Sequence, residues 1–154
     1  MKGIVIFDSS YGSTKKIADA VAETLKESSI EIGTYYVKDV KKLSARDYDF
    51  LVVGSPTKFG TMSFAMKGFL SKINGKEWKN KPFAAFDTEN PENIEKKESS
   101  AAEKIAEKLK EKQMEQLLPV LKGIVLGWKG PLQDGETERV KGYTRELVAK
   151  LKSK

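Results

Sequence analysis

The sequence predicts an α/β fold: a doubly wound, five-stranded parallel sheet in the order 2-1-3-4-5, with helices on both faces. Three observations predict it. Apolar strand-like runs alternate with helical patterns along nearly the whole chain, as they must when a parallel sheet is covered on both sides. The run Leu51-Val52-Val53 is continuous and apolar, as a central strand should be. The first strand stops abruptly in hydroxyls and a glycine, and a helix begins at once, which puts a ligand loop at the carboxyl edge of such a sheet.

The first strand is Lys2 to Phe7. The first helix, Ser13 to Lys26, shows Ile17, Ala20, Val21, Thr24 and Leu25 at helical spacing. Glu31 to Val37 is the second strand and Phe50 to Gly54 the third. The second helix is expected from Thr61 to Ile73, with Met62, Ala65, Met66, Phe69 and Ile73 on one stripe; its methionines read as core fillers. The fourth strand is Pro82 to Phe86, with Trp78 anchoring packing at the end away from the ligand loop. A loop from Asp87 to Ser99 follows. Ser100-Ala101-Ala102-Glu103 has the spacing of a capping box and opens the third helix, whose inward face is Ala101, Ala102, Ile105 and Leu109. Its glutamate and lysine rows fall away from that stripe and read as a solvated surface. The fifth strand is Val120 to Leu126, without interruption. After Gly130-Pro131 the last helix spans Glu136 to Lys152, with Val140, Tyr143, Leu147 and Leu151 inward and acids at its positive end.

The chain has 154 residues, enough for one domain with a sizeable core and too few for two ordinary ones, so residues 1–154 are expected to form a single domain. Histidine and cysteine are both absent, which removes Ser-His and Cys-His catalysis, thiolate metal sites and disulfides. No catalytic or metal-ligating residue is therefore assigned, and chemistry must come largely from a cofactor. No apolar run is long enough to span a membrane, and the N-terminus leads straight into a strand with no secretory signal, so a cytoplasmic protein is expected. The formal net charge is +6 and the pI near 9.3. The lysines are interspersed with glutamates and belong to no recognised nucleic-acid module, so a nucleic-acid partner is not expected.

Chemistry concentrates in the turn after the first strand, Ser9-Ser10-Tyr11-Gly12-Ser13-Thr14. The first amides of a helix have no partner within it and carry the positive end of its dipole, so they form an anion site. Lys15 and Lys16 oppose the dipole of an isolated helix, a penalty that a bound phosphate would reverse. The plainer alternative is an ordinary strand–turn–helix connection with a serine as N-cap. With one glycine, the turn lacks both the Gly-x-x-x-x-Gly-Lys-Ser/Thr spacing of a P-loop and the Gly-x-Gly-x-x-Gly of a dinucleotide site. What remains suits a terminal phosphate monoester.

Ser9 to Thr14 resembles the phosphate loop of flavodoxins, Thr/Ser-x-Thr-Gly-x-Thr, with Tyr11 in place of the hydroxyl residue before glycine. The loop after the third strand, Gly54-Ser55-Pro56-Thr57-Lys58-Phe59-Gly60-Thr61, is similar to the flavin-ring loop of the flavodoxin domains of A-type flavoproteins. Its small residues allow close approach to a flat ring, Phe59 can stack on it, and Lys58 brings positive charge beside it. The loop after the fourth strand starts Asp87-Thr88-Glu89-Asn90 and lacks the aromatic with which flavodoxins often cover the ring. Phe86-Asp87-Thr88, Ser100-Ala101-Ala102 and Gly130-Pro131-Leu132-Gln133-Asp134-Gly135-Glu136 resemble a group of small flavodoxin-like proteins, so the resemblance covers nearly the whole chain. It matches short-chain members, because the fifth strand carries no insertion. A two-component receiver domain shares the topology but needs a phosphoacceptor Asp ending the third strand, where this chain has Gly54-Ser55-Pro56.

The resemblance implies non-covalent FMN, with its phosphate on Ser9, Ser10, Tyr11, Gly12, Ser13 and Thr14. The ring would lie against Ser55, Pro56, Thr57, Lys58, Phe59, Gly60, Asp87, Thr88, Glu89 and Asn90. The implied function is electron transfer by a monomer between redox proteins, and the basic charge points to acidic partners, ferredoxin-like or an acidic reductase surface. Two other functions fit the same residues. One is a flavin-dependent quinone or protoporphyrinogen reductase; the other is an interaction domain without flavin.

Overall fold

The computed structural model describes all of residues 1–154. Six strands and six helices follow in the order β1 (Lys2–Phe7), α1 (Ser13–Glu27), β2 (Glu31–Tyr36), β3 (Phe50–Pro56), α2 (Phe64–Ser71), α3 (Gly75–Trp78), β4 (Pro82–Glu89), α4 (Pro91–Glu95), α5 (Ala101–Glu111), β5 (Glu115–Gln116), β6 (Leu121–Ile124) and α6 (Glu136–Lys152). All pairings between strands are parallel, and the sheet order is β2-β1-β3-β4-β5. Two short turns of 3₁₀ helix, Val37–Asp39 and Ala45–Asp47, carry the chain from β2 to β3.

Both faces of the sheet are covered because the central strands are apolar on both. On one face Ile4, Ile6, Leu51, Val53, Phe83 and Ala85 pack with α2, Trp78 and α5. On the other Val5, Phe7, Val52, Ala84 and Phe86 pack with α1 and α6. This is the burial that forces a doubly wound arrangement, since a parallel sheet with an exposed face would leave such runs wet. The stripes expected on α1, α5 and α6 are buried; Tyr143 of α6 is only partly so, and its hydroxyl donates to the Pro119 carbonyl at 2.8 Å.

Three expectations change. The fifth strand is shorter than expected, Leu121–Ile124, and a two-residue β5 precedes it in the same lane: β5 pairs with Pro82 and Phe83, β6 with Phe86 to Glu89, and Pro119, which has no N–H to donate, lies between them. The second helix starts at Phe64, not Thr61. Lys58 and Thr61 close a tight turn, Ser63 accepts from Met66 N–H as N-cap, and Ala65 faces solvent. The fourth strand runs on to Glu89, because Phe86 to Glu89 have β6 on one side while β3 continues on the other. Asp87, Thr88 and Glu89 are thus strand residues, and Asn90 caps the short α4 instead of crossing the ligand edge as a loop.

Candidate functional site

At the carboxyl edge of the sheet, where the winding reverses between β1 and β3, a cavity of about 640 Å³ opens between four connections. That volume is in the range of cofactor and small-molecule sites. Ser9, Ser10, Tyr11, Ser13 and Thr14 line it from the first loop, Pro56, Thr57 and Lys58 from the second, and Thr88, Glu89 and Asn90 from the third. A fourth group, Val125 to Gly130 after β6, completes the wall together with Pro91, Glu92 and Glu95. The fourth group is absent from the sequence reading. Gly127-Trp128-Lys129-Gly130, an aromatic in a glycine-flanked turn at the ligand edge, was the available signal.

The first loop keeps its donors free. Gly12, at φ 97°, is the N-cap of α1 and has no side chain to cap it, while Ser9 Oγ accepts from the first-turn Lys15 N–H at 3.4 Å. The N-cap is therefore glycine and not the serine of the plainer alternative. Ser9 N–H donates to the Asp8 carboxylate at 3.0 Å, and Gly12 N–H to Ser9 Oγ at 3.0 Å. The amides of Ser10, Tyr11, Ser13 and Thr14 have no partner in the chain. Tyr11 thus contributes a backbone donor although it lacks the usual short hydroxyl. Lys15 does not serve the loop: its ammonium pairs with Asp19 at 2.8 Å, which raises its pKa through that hydrogen bond and charge.

Lys58 does. Its ammonium donates to Ser10 Oγ at 2.9 Å, so its charge stands at the first loop. Phe59 and Gly60 form the tip of the Lys58–Thr61 turn with φ 51° and 76°, a conformation that swings the Phe59 ring fully into solvent. Both line a neighbouring cavity of about 420 Å³ instead. Ser55 and Asp87 are also off the main cavity. Ser55 is buried, its hydroxyl accepting from Ser63 N–H at 3.0 Å, and Asp87 accepts from Ala102 N–H at 3.0 Å at the start of α5.

The connections hold one another in place. Thr14 and Thr88 share a hydroxyl hydrogen bond of 2.9 Å, Thr57 N–H donates to the Thr88 carbonyl at 2.8 Å, and Val125 N–H to the Glu89 carbonyl at 3.0 Å. Thr57 Oγ1 accepts from Ala101 N–H at 3.0 Å. The cavity is electrically polarised. Lys58 and Lys129 flank the first loop, Lys129 lying 5.7 Å from the Tyr11 ring centre, whereas Glu89, Glu92 and Glu95 line the other side. Trp128, 83% exposed, and Tyr11 stand at the rim and supply the flat apolar surfaces that the third loop lacks.

Free amides, hydroxyls and an ammonium at one end of a cavity, with aromatic rings at its rim, fit a phosphate-bearing aromatic cofactor. Fold and site together define a doubly wound α/β protein that binds its ligand at the switch point. The chain belongs to the flavodoxin family: the family model described as "Flavodoxin domain" matches residues 4–127. Membership implies a flavin cofactor. A flavodoxin of Aquifex aeolicus is 37% identical over 78 residues, covering 50% of this chain and 42% of the relative. An NAD(P)H dehydrogenase (quinone) of Archaeoglobus fulgidus is 33% identical over 100 residues, covering 49% of this chain and 52% of the relative. The chain thus spans about half the length of these curated relatives. Among solved structures, a flavodoxin from the domain Archaea superposes with a TM-score of 0.82 at 27% identity, covering 99% of both chains. The rubredoxin oxygen:oxidoreductase of Desulfovibrio gigas shares the fold, with a TM-score of 0.75 at 21% identity over 97% of this chain and 37% of the other. No helix is long and apolar enough to cross a membrane.

Proposed function

We propose that the chain binds FMN non-covalently as one domain and carries electrons between redox proteins in the cytoplasm. The observation that carries this reading is the set of four unpaired amides and the Lys58 ammonium at one end of a cavity of about 640 Å³. The amides of Ser10, Tyr11, Ser13 and Thr14, with the neighbouring hydroxyls, would hold the phosphate. Pro56, Thr57, Thr88, Glu89 and Asn90 would border the remainder of the cofactor, with Tyr11 and Trp128 at its rim. When bound, the flavin supplies the electron chemistry. The chain's part is to orient it, to set the charge around it and to limit its contact with water.

The test is titration of flavin-free protein with FMN and with riboflavin, followed by flavin fluorescence. FMN is expected to bind more tightly, because riboflavin lacks the phosphate. Lys58→Ala should weaken FMN roughly three- to tenfold and leave riboflavin unchanged, a modest effect because Lys58 is solvent-exposed. Equal affinities of the wild type for the two flavins would remove the first loop as a phosphate site.

The net charge of +6 favours an acidic partner surface, ferredoxin-like or on a reductase. The electron-transfer rate with the physiological donor should fall as salt rises, since screening weakens the attraction. A rate in stopped-flow mixing that rises with salt would exclude an acidic partner. The similarity to an NAD(P)H dehydrogenase (quinone) supports a second reading, a reductase on the same scaffold. Steady NAD(P)H turnover with a quinone would select it over the carrier.

A further inference from the structure

Behind the third loop lies a buried carboxyl pair that the proposed function does not use. Asp87 and Glu89 lie two residues apart on β4, so both side chains leave the same face of the sheet, toward α5. Asp87 is 0% and Glu89 2% exposed. Each has one oxygen satisfied: Asp87 Oδ2 by Ala102 N–H at 3.0 Å, and Glu89 Oε1 by Asn93 Nδ2 of α4 at 2.8 Å. Asp87 Oδ1 and Glu89 Oε2 are buried with no hydrogen-bond partner. Two bare carboxylate oxygens in such a place are costly, since each forfeits its hydration and repels the other.

The cations around them do not balance two charges. From β6, Lys122 comes within 3.6 Å of Glu89 Oε2, but it also pairs with Glu103 of α5 at 3.0 Å and donates to Ser100 Oγ at 3.1 Å. Two carboxylates thus share one ammonium, and Asp87 has no ion pair of its own. The N-terminus of α5 adds a partial positive charge at Asp87, and α4 donates the Asn93 amide to Glu89 while its Glu92 and Glu95 add negative charge along the same cavity.

We propose that Asp87 and Glu89 hold a single proton between them, and that this shared proton fixes Glu89 in the wall of the cofactor cavity. The proton resides on Asp87 Oδ1 and is donated to Glu89 Oε2, so the two bare oxygens satisfy each other. Burial, followed by the neighbouring Glu89, pushes Asp87 well above the usual carboxylate range despite the opposing Ala102 N–H and Ser100. Asp87 is a positioning residue. It ties β4 to the start of α5, while Glu89 lines the cavity and ties to α4. The buried pair then carries one negative charge where two would stand.

Part of this inference rests on the reading of the cavity as the flavin site; the proton itself does not, and the two are tested separately. In the folded chain the pair keeps a proton that the unfolded chain releases above about pH 4. Unfolding therefore releases a proton, and the contribution to stability is lost as pH rises toward the folded pKa. The unfolding equilibrium constant, from denaturant titration at rising pH above about 5, should grow more steeply in wild type than in Asp87→Asn, by up to about tenfold more per pH unit while the pair keeps its proton. The infrared spectrum at neutral pH should show a buried carboxylic-acid carbonyl band that Asp87→Asn removes. Glu136 does not supply such a band: burial raises its pKa, but Arg139 and the Ile124 N–H outweigh that and hold it low.

Asparagine can donate to Glu89 and still accept from Ala102, so Asp87→Asn should keep wild-type FMN affinity at pH 7. Asp87→Ala can do neither and should lose about tenfold. Equal pH slopes for wild type and Asp87→Asn, or no carboxylic-acid band, would overturn the shared proton. A slope and band as expected, with Asp87→Ala binding FMN as wild type does, would overturn the link to the cavity. Failure of the wild type itself to bind FMN would strike the flavin reading and leave the proton result standing.

Discussion

Alanine at both Ser9 and Thr14 is expected to weaken FMN binding by roughly 3–6 kcal/mol, taking about 1.5–3 for each hydrogen bond to a charged group. The loss corresponds to a rise of about a hundredfold or more in Kd. The two hydroxyls act differently. Ser9 Oγ accepts from Gly12 N–H at 3.0 Å and from Lys15 N–H at 3.4 Å, which leaves its own proton free to donate into the cavity. Thr14 Oγ1 is shared with Thr88 Oγ1 at 2.9 Å, so its removal also unfastens the third connection from the first. Flavin fluorescence titration measures the effect, with circular dichroism to show that the sheet persists. Unchanged affinity in the double variant would take both hydroxyls out of the phosphate site.

Phe86→Ala should destabilise the fold by about 3–5 kcal/mol, the usual cost of an aromatic cavity in a well-packed core. Set against a typical total of about 5–15 kcal/mol, that is enough to shift the denaturation midpoint far. Phe86 is 1% exposed and fills the space that Gly54 of the neighbouring strand leaves open: a Cβ at Gly54 would stand 2.1 Å from its ring. Gly54→Ala should therefore overpack the same spot and cost about 1–3 kcal/mol by itself. Combined in one chain, the two substitutions should cost less than their sum, because each removes the other's conflict. Strictly additive losses in denaturant titrations would show that the two positions are independent.

Most of the scaffold was legible in periodicity. The stripes Ile17-Val21-Leu25 and Ile105-Leu109 are set by which faces must leave water, and they are buried as read. Ser100 accepts from Glu103 N–H at 3.4 Å as the capping spacing required, although the Glu103 side chain turns to Lys122 rather than back to the cap. Element ends were less legible. The start of α2 depends on a turn whose Phe59 takes a positive φ, and nothing in the local sequence demands that of a phenylalanine. The extension of β4 through Asp87-Thr88-Glu89 runs against its composition: polar residues at a strand end read as loop until two neighbouring strands are in place to bond them.

The sequence by itself determined the architecture and the donor-rich loop after β1, because alternating apolar runs admit few ways of burying a sheet and a hydroxyl-rich strand–helix turn exposes donors wherever it occurs. Tertiary structure alone decided which side chains meet there. Lys58 and Ser10 lie 48 positions apart, Thr14 and Thr88 lie 74 apart, and Trp128 arrives from a turn beyond the fifth lane. Contacts of that range depend on the register of the strands beneath them, which no local propensity encodes. The same holds for the proton on Asp87 and Glu89: alternation along one strand puts the two acids on one face, but only the packing of α5 and β6 over them removes the water that would have kept both charged.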